Sequence, residues 1–258
     1  KVVKKELELS FVPPCINKSN ATFSVVNGDL VYGLGALKNV GIEAMQLITE
    51  ARGSTSFSTL FDFARRVDLK RISKRPLEML VRAGAFDQLD SNRKRIFAAL
   101  EDLVNYSVAV HEQKSSNQVS LFGETGDDLP EPRIKDFQDW LPAERLAEEY
   151  IAIGFYLSDH PLGDYASALK RNGVWTLDEV VSKAKAGPFI AKMAGVVANR
   201  QERKSARGNR FAFLQLSDKT GSYEATLFSD VLEKSREYIE TGSKILITAE
   251  ASLESDQI

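Results

Sequence analysis

Gly33-Leu34-Gly35-Ala36-Leu37-Lys38-Asn39-Val40-Gly41 runs directly into Ile42-Glu43-Ala44-Met45-Gln46-Leu47-Ile48-Thr49-Glu50-Ala51-Arg52, and the reading of this junction decides the fold of the first half of the chain. Gly41 stands between two apolar residues, Val40 and Ile42, just before a helical stretch. Glycine removes the Cβ that would block an approaching group, and the N-terminus of the following helix attracts an anion. Placed between two helices, such a turn offers backbone N–H groups to a phosphate, the arrangement of a helix-hairpin-helix. A contact of this kind carries no base information. The candidate phosphate contacts are Lys38, Val40, Gly41 and Ile42. The same spelling also serves a plain helix corner whose glycine is only a C-cap.

A looser copy follows at Leu77-Glu78-Met79-Leu80-Val81-Arg82-Ala83-Gly84-Ala85-Phe86-Asp87. Lys70, Arg71, Lys74 and Arg75 precede it, and Arg93, Lys94 and Arg95 follow. Two hairpins would track one duplex backbone, which adds Lys74, Arg75, Gly84, Arg93, Lys94 and Arg95 to the candidates. Asp87 argues for the plain corner, because a carboxylate there repels phosphate. Upstream, Leu7, Leu9 and Phe11 alternate as in a strand, and residues 23–31 predict a hairpin turned at Asn27-Gly28. From residue 33 to about 112 the pattern is helical, with Ile96, Ala99, Leu100, Leu103 and Val104 on one stripe. Residues 113–142 are rich in Ser, Asn, Gly, Asp and Pro and predict an exposed connection, followed by a helix from Ala143 to about Phe155.

After Gly187-Pro188 the period changes to two, and residues 189–203, 209–217, 222–228 and 244–252 predict strands. Asp218-Lys219-Thr220-Gly221 would turn the second into the third, with Gly221 in a left-handed conformation. A helix from about Asp230 to Glu240, capped by Asp230 with Glu233 and ended by Gly242, precedes the fourth strand. Three strands, a helix and a strand is the order of an oligonucleotide-binding barrel, here lacking its last strand. Its basic run, Arg200, Arg203, Lys204, Arg207 and Arg210, is expected on the loop between the first two strands. If Ala212, Leu214 and Leu216 fill the barrel, Phe211 and Phe213 stand outside, where single-stranded bases stack; the opposite assignment makes the two phenylalanines core. The fold class is α+β, in several domains: a β-rich piece (1–32), a tandem helix-hairpin-helix domain (33–112), an exposed loop (113–142), a helical connector (143–187) and a truncated barrel (188–258).

The 258 residues are 43% apolar and carry 34 Lys plus Arg against 36 Asp plus Glu, so the net charge of −2 gives no whole-chain attraction to polyanions. Binding to nucleic acid must come from local patches. One cysteine and two histidines build neither a disulfide framework nor a Cys/His zinc site, and no apolar run approaches the about 18 residues of a membrane span. A cytoplasmic setting without membrane contact is expected, as is a longer parent chain, since the sequence opens on the charged run at Lys1. No Ser/His/Asp arrangement, P-loop or dinucleotide fingerprint is present, Asp127-Asp128 sit in a Gly- and Pro-bounded loop, and Asp159-His160-Pro161 reads as a turn. No catalytic residue, metal ligand or cofactor site is expected. Within the polar connection, Leu121 and Phe122 follow Gln118 at short spacing. Two large apolar groups there call for a pocket, supplied by a partner or by the parent domain.

Four blocks together resemble the C-terminal region of the alpha-subunit family of bacterial DNA polymerase III, the replicative C-family polymerases. They are residues 32–41, residues 80–87, Gln118-Val119-Ser120-Leu121-Phe122, and Glu148-Glu149-Tyr150-Ile151-Ala152-Ile153-Gly154-Phe155-Tyr156-Leu157-Ser158-Asp159-His160-Pro161-Leu162. The resemblance implies that the first residues close the fingers, that the hairpins grip duplex DNA through Gly41 and Gly84, and that Gln118, Leu121 and Phe122 insert into the sliding clamp, the beta subunit. It places the barrel near single-stranded template and implies other polymerase III holoenzyme subunits as partners, at the nucleoid. The magnesium-binding palm carboxylates of these nucleotidyltransferases have no counterpart here, and the family's tau-binding end is absent. Two readings compete: a nuclease or ligase-like repair enzyme with borrowed hairpins, and a structural spacer.

Overall fold

The computed structural model describes residues 10–115, 129–206 and 208–252. The chain divides into two compact units, residues 2–158 and 159–258.

The first unit opens with a three-stranded sheet, β1 (Phe11–Val12), β2 (Ser24–Val26) and β3 (Asp29–Val31), in the order β1-β3-β2. Asn27 and Gly28, at φ 52° and 87°, make the expected tight turn between β2 and β3, and β1 pairs parallel to β3. Among the described residues six α-helices follow: α1 (Ile42–Arg52), α2 (Leu60–Arg66), α3 (Leu69–Ile72), α4 (Lys74–Arg82), α5 (Arg93–Ser115) and α6 (Pro142–Ile153). The 23-residue α5 is the spine against which α2, α3 and α4 pack. Ile96, Ala99, Leu100 and Leu103 are buried as the helical stripe predicts. Packing is fixed in register by Ser107, whose buried hydroxyl donates to the Val67 carbonyl at 2.9 Å and accepts the Leu69 N–H at 3.1 Å. Residues 129–141 form no regular element but are held in place, as Asn92 donates to the Phe137 carbonyl and Arg65 pairs with Glu131. Beyond α6, buried Glu149 accepts the N–H groups of Leu157 and Ser158 at 2.7 and 2.9 Å.

The second unit carries α7 (Ala166–Arg171), α8 (Leu177–Ala184), β4 (Phe189–Lys204), β5 (Arg210–Ser217), β6 (Ser222–Leu227), α9 (Ser229–Ser235) and β7 (Lys244–Ala251). The sheet is antiparallel in the order β6-β5-β4-β7. The sixteen residues of β4 serve two partners: Phe189 to Val196 pair with β7, and Val196 to Lys204 pair with β5 across an irregularity between Val197 and Asn199. One strand curling from neighbour to neighbour is how a half-barrel closes around its core. Ala212, Leu214 and Leu216 are fully buried in that core.

Two local expectations fail for physical reasons. Gly221 is not left-handed; the Asp218 carboxylate closes the turn instead, accepting from the Thr220 N–H, the Thr220 hydroxyl and the Gly221 N–H at 2.6, 2.7 and 2.9 Å. Its other oxygen takes the Leu177 N–H at 2.6 Å, so one buried side chain also caps α8. Asp230 does not cap α9: the helix begins at Ser229, the Phe228 carbonyl accepts from Val231 and Leu232, and the helix ends at Ser235 rather than Glu240. Burial of Leu232 sets this register.

The Tyr223 hydroxyl is buried without a hydrogen-bond partner among the described residues, and burial, with the charge of Asp218, pushes its phenol above the usual range. An unmet buried hydroxyl costs on the order of 1 kcal/mol or more. Tyr223→Phe is therefore expected to hold or raise the thermal midpoint of the chain, read by circular dichroism, whereas a fall of several degrees would show that the hydroxyl is bonded.

Candidate nucleic-acid interface

The first hairpin is shorter than two helices. Its leading arm is a single 3-10 turn, Leu34–Ala36, because Gly33 and Gly35 are poor helix formers and serve close packing: a Cβ on Gly33 would fall on the backbone of Thr22 and Phe23. The Gly35 N–H donates to the Ala21 carbonyl at 2.8 Å. Val40 is buried, Lys38 and Gly41 are exposed, and Ile42 remains 48% exposed. Lys38 is anchored from behind, with its N–H donating to the Ala152 carbonyl of α6 at 2.8 Å and its ammonium 5.5 Å from the Tyr150 ring.

Gly41 has a different status from its neighbours. It sits at φ −83°, ψ 142°, a conformation open to any residue, and a Cβ added there would meet nothing within 4 Å. The fold makes no demand for glycine at this position. It caps the eleven-residue α1 without any side-chain hydrogen bond, so the leading N–H groups of that helix are covered by no capping side chain.

The second hairpin is closed from within. Gly84, at φ 77°, is buried and ends α4, and the space its Cβ would take is filled by the Arg93 guanidinium. Arg93, expected as a phosphate contact, is only 7% exposed: Nε bonds Asp87 Oδ1 at 2.9 Å, Nη2 bonds Oδ2 at 2.7 Å, and Nη1 donates to the Arg82 carbonyl at 3.1 Å. A buried guanidinium must satisfy its donors internally, and Arg93 does so. Arg95 forms a two-pronged pair with Asp90 at 2.8 Å on each prong, and Asp136 lies 3.3 Å away. Arg145 of α6 joins Asp87 to Asp139 at 3.4 and 2.6 Å. Burial pushes the Asp139 carboxyl up, but the N–H groups of Lys94 and Trp140 and the Arg145 guanidinium hold it below its ordinary range. Of this group Lys94 alone has an exposed side chain, together with Lys74 and Arg75 upstream.

In the second unit the basic run lies on strands rather than on a loop. Arg200, Arg203 and Lys204 belong to β4 and Arg210 to β5, while Arg207 lies outside the described residues. Period two therefore divides the charges between faces. Arg203 opposes Phe211, Gln201 opposes Phe213, and the Arg203 guanidinium lies 5.3 Å from the Phe213 ring, with the two phenylalanine rings edge to face at 5.3 Å. Both phenylalanines are half-buried on the face away from the core. Arg200 opposes Leu214 on the other face and is engaged by Glu202 at 3.5 Å, which Arg236 also reaches at 3.1 Å. Gln118, Leu121 and Phe122 lie outside the described residues. The carboxylate partners of Arg93, Arg95 and Arg145 were the groups sequence reasoning missed; Asp87 alone signalled them.

These geometries predict opposite responses to one methyl group. Gly41→Ala is expected to leave stability within about 1 kcal/mol of the parent chain, while Gly84→Ala, strained at positive φ and pressed against Arg93, loses about 2 kcal/mol or more. Urea denaturation of the two variants measures the contrast.

Residues 8–96 match a family model described as a helix-hairpin-helix motif, and residues 191–257 match an OB-fold nucleic acid binding domain. The chain is 38% identical over 246 residues to the DNA polymerase III subunit alpha of Caulobacter vibrioides, covering 95% of this chain and 21% of that protein. It is 32% identical over 269 residues to the subunit of the same name from Pseudomonas aeruginosa, with 96% and 22% covered, and 32% identical over 254 residues to that of Vibrio cholerae, with 97% and 22% covered. The chain thus spans about a fifth of the length of these curated relatives. Among the described residues no helix is long and apolar enough to cross a membrane. With a helix-hairpin-helix motif and an OB fold in order, and homology along nearly its whole length, the chain belongs to the DNA polymerase III alpha-subunit family and corresponds to its C-terminal region.

Proposed function

We propose that this chain is the DNA-gripping and clamp-tethering part of a replicative DNA polymerase. The observation that carries the reading is Gly41: a glycine that neither backbone angle nor internal crowding requires, at the exposed start of a helix whose leading amides no side chain caps. The missing Cβ is then room for a group from outside, and a phosphate of duplex DNA fits both the amides and the helix end. Lys38 and Ile42 flank the contact.

Single-stranded DNA is assigned to the outer face of β4 and β5, where Arg203, Phe211 and Phe213 form an aromatic surface with a guanidinium stacked on it. The sliding clamp is assigned to Gln118, Leu121 and Phe122, and other holoenzyme subunits would assemble with the parent chain. Holding DNA and clamp together raises the local concentration of the primer end and lengthens each round of synthesis. The role is binding, so it asks no metal, cofactor or catalytic residue of these residues; nucleotide addition, with its magnesium, belongs to the palm in this reading.

Fluorescence anisotropy with a primed duplex should show affinity falling steeply as salt rises, since each neutralised phosphate releases counterions. Gly41→Ala should weaken that binding several-fold with little change in stability; equal affinity in the variant would remove the hairpin from the contact. In a pull-down with the sliding clamp, Leu121→Ala combined with Phe122→Ala should abolish capture while the melting temperature holds. A large drop in melting temperature would make those side chains core instead.

A further inference from the structure

The junction of α3 and α4 carries four cations in six residues. Lys70 and Arg71 close the last turn of α3, Lys74 and Arg75 open the first turn of α4, and all four side chains are exposed. Only Lys74 makes an ion pair among the described residues, a 3.7 Å contact with the well-exposed Glu101. The apolar residues interleaved with them, Leu69, Ile72 and Leu77, are buried at 2% exposure or less. The step is thereby pinned to the core while its charges face water. Ser73 joins the two helices at φ 69°, a left-handed conformation that a serine adopts only under constraint. That single residue ends α3 and precedes α4, so it stands between the two basic pairs.

The contrast with the rest of the same unit is in the charge balance. Arg66 is committed to Asp62 and to the carbonyls of Ala51, Arg52 and Thr55, Arg65 to Glu131, Arg93 to Asp87, and Arg95 to Asp90. Structural arginines here are matched by carboxylates and carbonyls; Lys74 has only its exposed contact with Glu101, and among the described residues Lys70, Arg71 and Arg75 make no ion pair. Clustered exposed charge of one sign on a rigid support is costly through self-repulsion and is relieved by a polyanion. Because α3 packs against α1, the helix that Gly41 begins, the step belongs to the same body as the first hairpin.

We propose that Lys70, Arg71, Lys74 and Arg75, rather than the corner at Gly84, make the second phosphate contact of this unit with a duplex DNA backbone. The inference rests on the duplex-gripping role proposed above and specifies its footprint: one open hairpin and one cationic step, with the second hairpin serving as an internal fastening. The contact is to phosphate, so it is independent of sequence and adds to the salt dependence alone.

The test is the slope of log affinity against log salt for a blunt duplex, measured by anisotropy with the 258-residue chain. Each phosphate neutralised contributes a slope of about 0.9 for B-form DNA. Replacing all four side chains by glutamine should lower the slope by roughly 3.6 and weaken binding more than tenfold at low salt, with an unchanged melting temperature. The pairs Lys70→Gln with Arg71→Gln, and Lys74→Gln with Arg75→Gln, should each give about half the effect, which keeps the test decisive if the fourfold variant is unstable. Lys94→Gln, on the second hairpin, should leave the slope where it was. Binding by the parent chain with an unchanged slope in the step variants would overturn this inference while leaving the hairpin contact standing, as would a slope lowered only by Lys94→Gln. No binding by the parent chain would overturn both.

Discussion

A guanidinium taken out of water must find acceptors for its donors, and in this molecule that requirement, met at Arg93, fixes the second half of the first unit. Its donors go to both oxygens of Asp87 and to the Arg82 carbonyl at the end of α4. Asp87 in turn receives Arg145 from α6, and Arg145 binds Asp139 and the Ser91 carbonyl. Two helix ends, an irregular segment and a third helix are joined through alternating charges. Loss of Asp87 would be the costly break, because it would leave Arg93 buried without an opposite charge.

That fastening explains why two stretches with nearly the same spelling have different fates. At both Gly41 and Gly84 a glycine stands between two apolar residues. At Gly84 the glycine is needed by the fold itself, for a positive φ and for the arginine lying over it; at Gly41 neither need exists. A residue whose identity the interior explains carries no information about an external ligand. One whose identity the interior leaves unexplained does, and on this asymmetry rests the proposal that the first helical hairpin, and not the second, meets the phosphate.

Much of the architecture was legible before the structure. The stripe from Ile96 to Leu103 gave α5, Asn27-Gly28 gave the turn between β2 and β3, and alternation gave the four strands of the second unit, because burial on one face imposes its period on the residues. Details decided by contacts distant in sequence were not legible. Arg93, Lys94 and Arg95 are three consecutive cations, and nothing in their identity says that the first is buried, the second exposed and the third paired with Asp90. The turn at 218–221 reads as a glycine turn but is built by the carboxylate of Asp218, whose second oxygen reaches α8 some forty residues back, at Leu177. The start of α9 follows the burial of Leu232 rather than the better cap at Asp230.

The half-barrel shows how the same alternation can both hide and reveal a binding face. A run of arginines and lysines at 200–210 looks like one patch when written in a line, yet a strand sends successive residues to opposite sides. Once Ala212, Leu214 and Leu216 occupy the core, register alone dictates that Phe211, Phe213, Gln201 and Arg203 share the outer face, and that Arg200 and Glu202 share the other. Arg200 is then compensated by Glu202, while Arg203 lies on an aromatic ring, where a guanidinium keeps its charge available to an anion. The face that retains both an aromatic surface and an available charge is the one proposed to take a single strand, and its composition follows from which side of β5 the core claimed.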